Sequence, residues 1–143
     1  MRQIIECKTH KEIVSTYQIM KYLRPHLSDP DNYAKQALRM FGEGFRLVGL
    51  FEDGICHGVM GFRTETRFYC GRMIYVDDLV TDETQRSSGV GQALIDWIKQ
   101  EARKLSINNI ILDSGTHRSR AHKFYFREGF HIGGFNFRID LSN

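Results

Sequence analysis

A chain of 143 residues, 41% hydrophobic and 26% charged, has the size and make-up of one soluble globular domain with a proper core. Its net charge of +3 is too small to argue for nucleic acid, and no apolar run approaches the ~20 residues that a bilayer span needs. Cys7, Cys56 and Cys70 are an odd set without metal-ligand spacing, and the first residues lack the apolar region of a signal peptide; reduced, mostly buried thiols in a cytoplasmic protein are expected.

There are no repeats, low-complexity tracts or linkers, so residues 1–143 are expected to form a single domain. Residues 3–7 read as a short strand. Residues 11–23 read as one helix, with Ile13, Val14, Tyr17, Met20 and Tyr22 partly periodic and Pro25 ending it. Asp29-Pro30-Asp31 is a helix start, and the helix it opens runs to about Phe41, where Gly42 and Gly44 stop it. Residues 45–51 and 55–68 are strands joined by the hairpin turn Glu52-Asp53-Gly54. Residues 73–80, apolar, β-branched and aromatic, make a largely buried strand. A long helix follows, with Val90, Ala93, Leu94, Trp97, Ile98, Ala102 and Leu105 on one face and Gln92, Asp96, Lys99, Gln100, Arg103 and Lys104 opposite. Residues 109–112 are a short apolar strand. Ser119 or a neighbour caps a last helix carrying Ala121, Phe124 and Tyr125, which ends at Gly129. A final pair of strands, broken at Gly133-Gly134, is expected from Phe130 to Leu141. The order β-α-α-β-β-β-α-β-α-β-β predicts a mixed α/β sheet with helices on both faces.

Between the strand 73–80 and the long helix, Arg86-Ser87-Ser88-Gly89-Val90-Gly91 sets two glycines where the backbone must turn tightly or approach something closely. The free N–H groups of a helix start favour an anion there, so the turn reads as a phosphate site; an ordinary tight turn is the competing reading. The dinucleotide fingerprint fits badly, because Leu94 stands where a third small residue is wanted. A mononucleotide P-loop is excluded, since no Gly-Lys-Ser/Thr closes the turn.

The stretch closely resembles motif A of the GNAT superfamily of N-acetyltransferases, Gln/Arg-x-x-Gly-x-Gly/Ala after a strand of the form Asp-Leu-Val-Val. Here Asp78-Leu79-Val80-Thr81 supplies the strand, with Ser87 standing where Gly is common. The resemblance implies that backbone N–H groups of Arg86, Ser87, Ser88, Gly89, Val90, Gly91 and Gln92 hold the pyrophosphate of acetyl-coenzyme A. It also implies that main-chain groups of Leu79 and Val80 pair with the pantetheine and thioester. A second stretch, Ala121-His122-Lys123-Phe124-Tyr125-Phe126-Arg127-Glu128-Gly129-Phe130, resembles the other GNAT signature, Ala-x-x-Phe-Tyr on a helix ending at Gly-Phe. The matching tyrosine of the family protonates the departing thiolate, a role implied for Tyr125; a neutral phenol of pKa ~10 is a reasonable donor. Without the resemblance, Tyr125 reads as a core aromatic. Arg118 replaces the Asn common in the family, and Arg118-Ser119-Arg120-Ala121-His122-Lys123-Phe124-Tyr125 is similar to a branch, including aminoalkylphosphonate acetyltransferases, with an Arg-x-x-Ala-His-x-Phe-Tyr pattern. The element order is that of GNAT proteins, although the segment before Phe45 matches by order only.

Acetyl transfer from a thioester to an amine requires a base for the ammonium. Asp78 is the choice, with Glu65, Asp113, His117 and a water relay as competitors. Strand alternation is expected to send Asp77 and Asp78 to opposite faces. In this family the amine lies over the first helices, which makes Tyr22, Arg24, His26 and Tyr33 candidate lining residues. The histidines have no metal-like partners, so no metal is expected. The resulting expectation is a cytoplasmic N-acetyltransferase acting on a small-molecule amine, without nucleic acid or membrane as partner; a homodimer is compatible with the sequence. Rival readings are a protein lysine or N-terminal acetyltransferase, a non-catalytic coenzyme A sensor, and a nucleotide-binding domain.

Overall fold

The computed structural model describes residues 1–85 and 88–142, the side chain of Gln85 excepted. The chain divides into two compact units, Met1–Leu112 and a C-terminal one that begins at Asp113.

The first unit is built on a five-stranded sheet in the order β1-β2-β3-β4-β5. The strands are β1 (Arg2–Glu6), β2 (Phe45–Glu52), β3 (Ile55–Arg67), β4 (Gly71–Thr81) and β5 (Ile110–Leu112). Neighbours are antiparallel except β4 and β5, which run parallel, so the sheet is mixed. The β2–β3 turn forms where Asp53 and Gly54, at φ 51° and 80°, take the left-handed conformation a two-residue hairpin demands.

Three helices stand where the periodicity predicts two: α1 (His10–Val14), α2 (Tyr17–Leu23) and α3 (Pro30–Phe41). The break between α1 and α2 has a local cause. Ser15 Oγ bonds the Glu12 carbonyl, and fully buried Thr16 turns its Oγ1 onto the Ile13 carbonyl (2.7 Å) and the Tyr33 hydroxyl (2.7 Å). Such side-chain bonds compete with the helix ladder. Asp29 caps α3 by accepting from the Asp31 N–H, with Pro30 in the first turn, as the sequence predicts.

Alternation along β2 and β3 sorts the two faces. Phe45, Leu47 and Val59 join Ile13, Tyr17, Met20, Tyr33 and Ala37 in one core with α1–α3. On the opposite face lies α4 (Val90–Lys104), which buries Val90, Leu94, Ile95, Ile98 and Ala102. The expected stripe is therefore widened by Ile95, while Trp97 packs edge-on against Phe62, ring centres 5.9 Å apart. Gly58 is what lets α4 sit so low: a Cβ there would stand 2.5 Å from Val90 Cγ1. Arg46 ties the layers, donating to both carboxylate oxygens of Glu6 on β1 (2.8 and 2.9 Å) and to Glu101 on α4 (2.7 Å) while lying over the Phe62 ring.

Among its described residues the second unit holds one regular element, α5 (Ser119–Arg127), ended by Gly129 at φ 100°. The final pair of strands expected beyond it is not formed: residues 130–142 contain none. Phe135, Phe137, Ile139 and Leu141 alternate as a strand should, yet stand 82–92% exposed. Alternation specifies faces but supplies no ladder partner, and without one a strand is not stable.

Candidate active site

The site grows out of the end of β4. Its register with β3 slips between Gly61 and Phe62, so Asp77 is the extra residue of a β-bulge, between Val76 (opposite Phe62) and Asp78 (opposite Gly61). This overrides the alternation expected from sequence. Arg63, across β3–β2 from Phe45 and stacked over its ring, binds Asp77 (Nη2–Oδ2 2.9 Å). Asp78 Oδ2 approaches the same face, at 3.0 Å from where a Gly61 Cβ would be. Both carboxylates thus look toward α1–α3. Beyond Val76, β4 has no ladder partner on its β5 side among the described residues, because β5 pairs only with Ile74, Tyr75 and Val76. Leu79 and Val80 remain paired to Met60 and Val59 of β3. Their side chains are buried, and alternate backbone N–H and C=O groups of this stretch face the open edge.

From β4 the chain passes through a 3-10 turn, Glu83–Gln85, to the start of α4. Asp82 shapes this exit: its Oδ1 accepts from the Thr84 N–H (2.9 Å) and hydroxyl (2.7 Å), and these bonds hold its carboxyl below the usual range. Of the expected phosphate turn, Arg86 and Ser87 lie outside the described residues. Gly89 is the N-cap of α4 at φ 81°, a conformation costly for any other residue type. The first intrahelical bond runs from Ala93 N to Gly89 O, so the N–H groups of Val90, Gly91 and Gln92 precede the helix ladder and can donate to an anion. The polar donor set and the absent Cβ fit a phosphate group.

Sequence reasoning missed one member of this turn. Arg2, on β1, anchors its Nε on Glu52 (3.2 Å) and donates Nη2 to the Ser88 carbonyl (3.1 Å). It fixes the turn from the opposite end of the chain and brings a positive charge to it. Only a long-range contact could have revealed this.

A cavity of about 130 Å³ lies between the helices and the sheet, with Asp78 and Arg24 on its wall. Of the lining residues expected, Arg24, His26 and Tyr33 border it; Tyr22 does not and is exposed. Tyr33 is committed to Thr16 and its phenol is pushed upward by burial. Arg24 Nε and Nη2 each stand 2.8 Å from Asp78 Oδ1, and Nη2 also donates to the Asp77 carbonyl (3.0 Å), which the bulge exposes. Burial raises the Asp78 pKa and Asp77 adds to the rise, while Arg24 and Arg63 oppose it; the net direction is up. Among the competing bases, Glu65 is occupied by Arg67 (2.9 Å) on the β3–β4 hairpin.

In the second unit, Tyr125 is buried on α5, its ring against Phe124 and Phe130 at 5.5 and 5.6 Å between centres. Burial raises its pKa, and Arg118 counteracts. Asp113 accepts from Asn136 Nδ2 (2.9 Å), and His122 Nε2 meets the Gly115 carbonyl (2.8 Å). The three cysteines are free thiols. Burial pushes Cys7 up to about 12 and Cys56 to about 11, values at which neither is a nucleophile. Among the described residues no helix is long and apolar enough to cross a membrane.

The model of the acetyltransferase (GNAT) family matches residues 11–130. The uncharacterized N-acetyltransferase YhdJ of Bacillus subtilis (strain 168) is 30% identical over 129 residues, 90% of this chain and 91% of its own. The aminoalkylphosphonate N-acetyltransferase of Salmonella typhimurium is 29% identical over 112 residues, 78% of this chain but only 65% of its own length. Among solved structures, the aminoglycoside N-acetyltransferase AAC(6')-Iy in complex with CoA superposes with a TM-score of 0.82 over 100% of this chain and 96% of that one, at 13% identity. A strand opened at a bulge, a glycine-capped helix beyond it and a family match over most of the length converge: the chain belongs to the GNAT family, as an acetyl-coenzyme A-dependent N-acetyltransferase.

Proposed function

We propose that the protein acetylates the primary amine of a small molecule, in the cytoplasm, with acetyl-coenzyme A as direct donor. The observation that carries this is the opening of β4 beside Asp78: the strand that would carry the thioester also forms a wall of a small, partly apolar cavity. A cavity of about 130 Å³ suits a compact acceptor, well below the ~300–1,000 Å³ of sites for drug-sized ligands. The Salmonella relative's substrate class is in keeping with this size.

In this reading, backbone N–H groups of residues 86–92 hold the pyrophosphate and those of Leu79 or Val80 receive the acetyl carbonyl as it gains charge. Asp78, raised in pKa, takes a proton from the acceptor ammonium. The amine nitrogen bonds to the acetyl carbon, the carbon–sulfur bond breaks, and Tyr125 gives its proton to the sulfur and regains one from water. The sum is ammonium plus thioester to amide, free thiol and one proton.

The test is release of free coenzyme A from acetyl-coenzyme A across small amines, polyamines, aminoglycosides and lysine peptides. Turnover with small amines is the expected result. Turnover confined to peptides would move the activity to proteins, and tight acetyl-coenzyme A binding without any turnover would make the chain a sensor.

A further inference from the structure

Phe135, Phe137, Ile139 and Leu141 leave a row of apolar side chains in solvent that folding within one chain does not cover. The alternate side of the segment is tethered. Asn136 Nδ2 donates to Asp113 Oδ2 (2.9 Å), and Arg138 Nε donates to Asn136 Oδ1 (2.7 Å). Asp140 accepts from the Ser142 N–H (2.9 Å), and among the described residues neither Arg138 nor Asp140 belongs to an ion pair. A stretch with strand alternation, a bare apolar row and backbone groups outside any ladder is a template for another chain. Residue types say which chain fits. In an antiparallel pair, directly opposed residues share a face, so the apolar row stays together only where odd-numbered residues oppose odd ones. Centring a self-pairing on Arg138 opposes two guanidiniums, and centring it on Asp140 opposes two carboxylates. Centring it on Phe137 sets Arg138 against Asn136 and Asp140 against Gly134, which leaves both charges unmatched. Centring it on Ile139 sets Arg138 against Asp140 twice, Phe137 against Leu141 twice and Ile139 against itself. A parallel pair in register sets like charges side by side. One arrangement therefore satisfies both rows.

We propose that residues 135–141 form an antiparallel β-ribbon with the same residues of a second copy of this chain, centred on Ile139, and that the protein is a twofold homodimer. The contact is isologous, so it closes at two chains and does not propagate. Pairing supplies the ladder that the segment lacks alone, and it packs each apolar side chain against a cross-strand neighbour. The two ion pairs are exposed and add little affinity, but they choose the register, because each neighbouring register with the same faces loses or reverses them. A two-stranded ribbon by itself is marginal in water. Here each strand is carried by a folded unit and tied through Asn136 to Asp113, so less conformational freedom is lost when the two meet.

The experiment is sedimentation equilibrium of the full chain at low salt, over about 1 to 100 μM. At the upper concentrations the unaltered protein should have twice the 16.7 kDa mass of one chain. Arg138→Asp and Asp140→Arg should each raise the dimer Kd at least about tenfold, because both opposed pairs become like-charged. Both side chains are exposed, so neither substitution disturbs a core. An equal mixture of the two variants should dimerise as the unaltered protein does, since one then presents only carboxylates and the other only guanidiniums. The chain carrying both substitutions should do the same. A monomer throughout the range would overturn the ribbon. So would a dimer that both charge reversals leave unchanged, or one whose loss neither the mixture nor the double variant restores, because the interface would then lie elsewhere.

Discussion

For single residues, Asp78 and Tyr125 face different tests. In the proposed mechanism Asp78 is the base, and its raised pKa extends the protonated form above the ordinary aspartate value of ~3.9. The rate should fall as pH drops through that raised value, and the acidic limb of kcat/KM should vanish in Asp78→Asn. Tyr125→Phe should lower kcat by about 10²-fold, the low end for a proton donor, and leave acetyl-coenzyme A affinity nearly unchanged by calorimetry. A wild-type rate in that variant would remove the phenol from the chemistry. Arg2→Ala removes the Nη2 bond to the Ser88 carbonyl and should weaken acetyl-coenzyme A binding several-fold with kcat preserved.

Among the secondary elements, α4 and its turn depend on two glycines for different reasons. Gly89 needs none of the surrounding space, since a Cβ on it would have only Arg2 Nη1 within 4 Å; its left-handed φ is the requirement. Gly89→Val should therefore cost about 1–2 kcal/mol of local strain and raise the acetyl-coenzyme A Kd. Gly58 has the opposite character, ordinary backbone under a low-lying helix. Gly58→Leu should lift the start of α4, lowering both Tm and cofactor affinity, although it lies on another strand. Arg46 clamps β1, β2 and α4 with Glu6 and Glu101. Arg46→Met would leave the part-buried Glu6 carboxylate without its arginine and Glu101 with only the longer contact to Lys104 (3.7 Å), and should cost about 2 kcal/mol in urea unfolding, less than for a fully buried pair.

Across the molecule as a whole, pH acts on stability through the same clamp. Arg46 holds the Glu6 carboxyl below its ordinary value of 4.5, so the folded form binds a proton there less readily than the unfolded chain. That stabilisation is present above the unfolded value and disappears as pH falls through the folded one; Arg46→Met should flatten this part of the acid-unfolding curve. Thiol reactivity reads the packing directly. Cys7 and Cys56 are buried with raised pKa values, whereas Cys70 is partly exposed. One thiol per chain should react with a disulfide reagent at pH 8 before denaturation, and three after.

Local chemistry made part of this fold legible before any contact was known. Asp29-Pro30 starts a helix, Asp53-Gly54 turns a hairpin, and a glycine-capped helix follows an apolar strand, because each is decided within a few residues. The family was legible for the same reason, from short runs of residues. The remainder came from contacts between distant segments. Thr16 splits a helix because Tyr33 is there to receive its hydroxyl. The bulge at Asp77 turns both acids to one face through a register set by β3, and Arg2 reaches a turn distant in sequence. The alternating segment from Phe135 to Leu141 lacks the partner that would make it a strand. Charge pairing, register and ladder formation are relations between two stretches of chain, and no window of sequence contains both halves of them.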